Sequence, residues 1–115
     1  MTLEKCLQGY IAAAHEHGAE TDLCESARRI NRAYDKVKKN YLALIQSEEG
    51  KVALREQLAS PDDYVRTWTA MLLIFDEPKV CERILREQLE KKGLWKSSVK
   101  TFLAEWKEGN IDSMF

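Results

Sequence analysis

Apolar positions recur along this chain in steps of three and four, broken by short polar clusters, and that rhythm predicts six helices. The first runs from about Thr2 to His17, with Leu3, Leu7, Tyr10, Ile11 and Ala14 on one stripe and Gly18 as its stop signal. The second has the most regular spacing. Leu23, Ala27, Ile30, Tyr34, Val37, Tyr41 and Leu44 alternate steps of four and three, a single stripe sustained to about Gln46. Asp22 and Glu25 ahead of it have the spacing of a capping box, with Asp22 as N-cap. At 1.5 Å per residue this element would be roughly 37 Å long. A short third helix, about Glu49 to Ala59, follows Ser47 and carries Val52, Leu54 and Leu58, with Gly50 weakening its first turn.

Ser60-Pro61-Asp62-Asp63 reads as the next start signal: the serine caps, the proline takes the first helical position, and the acids complement the helix dipole. The fourth helix then turns Val65, Trp68, Thr69, Leu72 and Leu73 inward, and its Met71-to-Phe75 run predicts burial nearly all round. Pro78 opens the fifth, with Val80, Ile84, Leu85, Gln88 and Leu89 on its apolar side, and Gly93 ends it. The sixth, about Leu94 to Lys107, buries Trp95, Val99, Phe102, Leu103 and Trp106. Residues Asn110 to Phe115 are expected to form a loose tail.

Connections this short make consecutive helices antiparallel neighbours. The expected fold is therefore all-α, a single domain over residues 1–115, with three helix hairpins in a compact bundle or a short superhelical stack. Composition agrees: 115 residues suit one core, and five glycines and two prolines leave little turn chemistry for a β fold. A net charge of −1 supplies no global field to draw the chain onto nucleic acid. The longest apolar run, Ala70 to Phe75, is too short to span a membrane, and no export signal is read at the N-terminus. Cys6, Cys24 and Cys81, with no C-x-x-C pair, are expected as buried small hydrophobes in a reducing, cytoplasmic setting.

The fourth helix bears on the choice between bundle and stack. Its start, Ser60-Pro61-Asp62-Asp63-Tyr64-Val65-Arg66, continues through Trp68, Ala70, Leu72 and Leu73, and resembles the second-helix signature of a HEAT-type repeat. Val65-Arg66-x-Trp68-x-Ala70-x-Leu72-Leu73 and the ending Leu103-Ala104-Glu105-Trp106-Lys107-Glu108-Gly109 are similar to a family of small bacterial HEAT-like proteins. The resemblance covers about Ala59 to Ile111, and the long second helix departs from a standard repeat pair. It implies a HEAT-like α-α superhelix and, because such families include immunity proteins, a partner that is a bacterial toxin. In HEAT-type repeats the arginine at the Arg66 position pairs with acids near helix ends.

Chemistry is sparse. His15 and His17 point about 200° apart on a helix and cannot share a metal, so both are expected as exposed residues of a last turn. Ser97-Ser98-Val99-Lys100 lacks the companion motifs of serine–lysine acylating sites. No phosphate-binding glycine loop or nucleophile elbow is present. Neither an enzyme nor a metal or cofactor is expected. Two charged features compete as partner surfaces. One is the basic run Arg28, Arg29, Arg32, Lys36, Lys38 and Lys39, diluted by Asp35 and by tyrosines that face inward; a solvated face is the favoured reading, and nucleic acid is not the expected partner. The other is acidic. In an up-down chain the turns near 18–22, 59–63 and 92–95 share one end, which gathers Glu20, Asp22, Glu25, Asp62 and Asp63. Helix capping alone would account for them. Alternatively they form a rim for a basic surface, such as the active site of a toxin nuclease. The expected function is thus an immunity (antitoxin-like) protein, monomeric or weakly dimeric, that occludes a toxin, with a general interaction scaffold as the alternative. A nucleic-acid-binding module using the Arg28-to-Lys39 face is a third, less favoured reading.

Overall fold

The structure, a computed structural model, describes residues 2–24 and 26–115. The fold is all-α: among the described residues there are six α-helices, one 3₁₀ turn and no strand. They are α1 (Leu3–Leu23), α2 (Ala27–Leu44), α3 (Glu48–Glu56) with a 3₁₀ extension (Gln57–Ala59), α4 (Asp63–Leu73), α5 (Pro78–Gln88) and α6 (Trp95–Lys107). The radius of gyration of 13.3 Å matches a compact domain of this length.

α1 runs through the middle and touches α2, α3, α4 and α6. Its pairing with α2 is antiparallel, since Glu20 meets Arg29 at one end and Gly9 lies against Asn40 at the other. α4 packs across α1 and against α5, so Trp68, Val65, Met71 and Ile74 join Tyr10, Val37, Leu85 and Trp95 in one core. Contact between α1 and α6 brings the first and last hairpins together, closing the molecule further than a linear stack of hairpins would.

Several boundaries move. α1 does not stop at Gly18 but continues one and a half turns to Leu23, ended by Cys24 in the left-handed region (φ 53°), whose N–H bonds the Glu20 carbonyl. Gly18 is a packing glycine, because a Cβ there would sit 2.2 Å from the Tyr64 ring. α2 is correspondingly shorter. Asp22 belongs to α1, and the N-cap of α2 is Ser26, whose hydroxyl accepts the Arg29 N–H. Leu23 is therefore exposed and Ala33 is buried in place of Ala27. At 18 residues, α2 is about 27 Å long instead of 37 Å.

α3 begins after Ser47, as its punctuation predicts, but Val52 points outward at 57% exposure. The fourth helix starts later than the proline suggests. Its N-cap is Asp62, which accepts the N–H groups of Tyr64 and Val65, while Ser60 only receives the Asp62 N–H. A carboxylate carries charge to the helix dipole that a hydroxyl lacks, so the aspartate wins the cap. Pro78 does take the first position of α5. The expected loose tail is docked: Ile111, Met114 and Phe115 pack on the core, and the Phe115 ring lies 5.4 Å from Tyr34 and 6.3 Å, stacked, from Trp68. No helix of the described chain is long and apolar enough to cross a membrane.

Candidate functional site

The end of α1, the start of α4 and the start of α6 converge, as the up-down reading anticipates. Asp22 fastens them. Its carboxylate accepts the Tyr64 hydroxyl at 2.5 Å and the Trp95 backbone N–H at 2.7 Å. Gly93 makes that approach possible, since its φ of +114° suits glycine and a Cβ would lie 2.5 Å from the Asp22 carboxylate. The bond to Asp22, then partial burial, pushes the Tyr64 phenol up to about 12, so it stays a neutral donor.

Around this anchor lies a cavity of about 420 Å³ framed by His15, Asp22, Asp62, Asp63 and Tyr64, with Gln88, Lys91 and Lys92 on its far side. Asp62 caps α4 with one oxygen and holds His15 Nδ1 at 2.7 Å with the other. Asp63 pairs with Arg66 and, at 3.5 Å, with Lys91. The pairing of Arg66 with Asp63 is the contact with a helix-end acid expected of it, and Arg66 also donates to the Ser60 carbonyl at 2.8 Å. Asp22, Asp62 and Asp63 are thus brought together. Glu20 is not part of the cavity: one oxygen faces Arg29 at 3.6 Å and the other is buried without a partner. Glu25 lies outside the described residues. Sequence patterning missed His15, Tyr64, Lys91 and Lys92 at this site, although Tyr64 directly follows the acidic pair and the lysines precede Gly93 in a turn already assigned to that end.

His17 departs furthest from expectation. Because α1 continues past it, His17 is in the helix interior, and it is buried at 9% exposure. Its Nδ1 accepts the Trp68 indole N–H at 3.2 Å, and its ring meets Trp68, Trp95 and Tyr34 edge-on or tilted at 5.1, 5.3 and 6.0 Å. Burial lowers its pKa to about 4. The unfolded chain, with an ordinary histidine near 6.5, binds a proton that the folded chain refuses. Stability from this group is therefore complete above about pH 6.5 and lost as pH falls through 4. The urea midpoint should decline across that window, and His17→Gln, which keeps an acceptor for Trp68, should flatten the decline. An unchanged slope in the variant would remove His17 as the cause.

The other candidates resolve simply. Cys6 and Cys81 are buried, and burial raises the Cys81 thiol to about 11, whereas Cys24 is exposed at the end of α1 instead of buried. Among the described residues no three His, Cys, Asp or Glu side chains are grouped to hold a metal ion. The basic run lies on α2 with Arg28, Arg29, Arg32, Lys36, Lys38 and Lys39 all exposed. Tyr34 and Tyr41 are half-buried, turned onto Phe115. No protein-family model matches the chain, and no curated protein or solved structure shows significant similarity to it.

Proposed function

We propose that this chain is an immunity-type binding protein with a HEAT-like helical scaffold, which neutralises a bacterial toxin by covering its active site with the acidic end of the molecule. The observation that carries the proposal is the cavity at that end. Three carboxylates from two helix ends meet there, and each is held by named partners: Asp22 by Tyr64 and Trp95, Asp62 by the α4 N-terminus and His15, and Asp63 by Arg66 and Lys91. Carboxylates fixed in advance lose little side-chain entropy when they meet a basic surface, and their field speeds encounter. A nuclease, whose active site must attract phosphates, is the toxin class that presents such a surface. Tyr64 and the cavity walls would supply the desolvated contacts that hold the complex once formed.

The test is co-expression with the product of the adjacent gene, scored for restored growth, followed by association kinetics with the purified pair. Rescue is expected. Asp63→Lys, which reverses a half-exposed rim charge, should slow association about tenfold at low salt, with the difference shrinking as salt screens it. Failure of rescue, or an association rate that Asp63→Lys leaves unchanged, would count against occlusion by this end.

A further inference from the structure

The charge of the chain is separated in space. From Ser26 to Ser47 there are six cations against Asp35 alone, a net of +5, so the rest of the chain carries −6. α2 places those cations on its outer side. Arg28, Arg32, Lys36 and Lys39 follow one another in steps of four, four and three, opposite the buried Ala33, Val37 and Leu44, and form a straight ridge about 17 Å long. Elsewhere cations are paired, as Lys51 with Glu48, Arg55 with Glu77, Arg86 and Lys107 with Glu82, and Arg66 and Lys91 with Asp63. Others stand scattered among acids, as Lys5, Lys79, Arg83, Lys92, Lys96 and Lys100 do, with no second row like that of α2. Among the described residues no carboxylate, Asp35 included, comes within ion-pairing distance of Arg28, Arg32, Lys36, Lys38 or Lys39.

We propose that this ridge binds the phosphate backbone of duplex nucleic acid, independently of the acidic end. A duplex carries one phosphate per ~1.7 Å of axis with both strands counted, so about 17 Å of duplex holds about ten phosphates, and the roughly half turned towards the ridge suffice for its four cations. Single strands are held largely by aromatic side chains stacking on bases, and the nearby aromatics Tyr34 and Tyr41 are instead turned onto Phe115. Stable seating on an anionic membrane takes an apolar face or anchor in addition to the cations, whereas α2 offers only Leu42 as an exposed large apolar side chain. Contact through phosphates alone makes the binding indifferent to base sequence and steep in salt.

Fluorescence anisotropy with the full chain and a labelled duplex of about 20 base pairs tests this. Four phosphate contacts predict a slope of log K against log salt of about −3.6, a loss of about 150-fold between 50 and 200 mM salt. Arg32→Gln/Lys36→Gln/Lys39→Gln, verified as folded by its melting temperature, should retain a slope of only about −0.9. Lys5→Gln/Lys96→Gln/Lys100→Gln removes equal charge from other exposed positions and should leave both affinity and slope nearly unchanged. Equal loss in the two variants would reduce the effect to net charge and overturn the proposal. So would tighter binding to a single strand of the same length. Absence of any anisotropy change at about 25 mM salt overturns it too, and redirects the ridge to an acidic protein surface.

Discussion

Trp68→Ala is expected to lower the unfolding free energy by about 3–5 kcal/mol, read as a fall in the urea midpoint at neutral pH. The indole is 1% exposed and touches four aromatic rings, those of His17, Tyr34, Trp95 and Phe115. Removing it opens a void between α1, α4 and α6, and its neighbours are tied to three helices and the tail, so they cannot all collapse inward. It also leaves the buried His17 Nδ1 without the indole donor, a second cost of about 1–3 kcal/mol unless water enters. Trp68→Phe also removes the indole N–H but keeps most of the volume, so it should lose less, and the difference between the two variants measures the packing contribution alone. A loss under about 1 kcal/mol for Trp68→Ala would show that this aromatic cluster does not hold the end of the molecule together.

Gly50→Ala is expected to reverse the usual rule of helices. In an exposed helix interior, alanine in place of glycine adds about 1 kcal/mol of stability. Here the added Cβ would lie 1.8 Å from the Leu44 carbonyl oxygen, which is backbone and has no rotamer by which to escape. Either α3 separates from the end of α2 or the corner between them deforms, and a loss of about 3 kcal/mol or more follows. Gly109→Ala is the comparison. Nothing lies within 4 Å of its Cβ, so only the positive φ of +74° opposes the change, worth about 1–2 kcal/mol. Similar losses for the two variants would mean that the contact at Gly50 is relieved at little expense.

The contrast between these glycines shows where sequence patterning stops being informative. Gly18 and Gly50 read as a stop signal and a weak first turn, since a glycine in isolation is known only for its backbone freedom. Both are instead places where another part of the chain, the Tyr64 ring or the Leu44 carbonyl, passes too close for a Cβ. His17 is a similar case. It points about 200° away from His15, so one of the pair faces solvent and meets Asp62 while the other enters the core, where a last turn would leave both exposed. A helix that ended at Gly18 would put His17 in an exposed last turn; the extension to Leu23 puts it in the helix interior.

The candidate site was legible in part for a related reason. Helix counts and short connections are local properties, so the turns that share one end of the molecule could be listed from the chain alone, and Asp22, Asp62 and Asp63 do meet. What each carboxylate does there was not legible. The spacing of Asp22 and Glu25 reads as the cap of α2, but the partners of Asp22 are 42 and 73 residues away. The separation of charge between the α2 ridge and the rest of the chain could be counted directly. Whether those cations were already neutralised by a distant acid could not.

Read alone, the chain specifies the all-α class, six helices in order and most of the residues that α4, α5 and α6 bury. By contrast, α1 buries Cys6, Ala13, His17 and Gly18 in addition to the Tyr10 and Ala14 of its expected stripe. Hydrophobic period, prolines and polar caps act within a few residues of where they stand. Long-range packing sets the rest: α1 is the central element, the end of the chain docks on Tyr34 and Trp68, and His17 is buried among aromatics. Those outcomes depend on which faces meet across long stretches of chain, and an amphipathic stripe states that a face will be covered without naming what covers it.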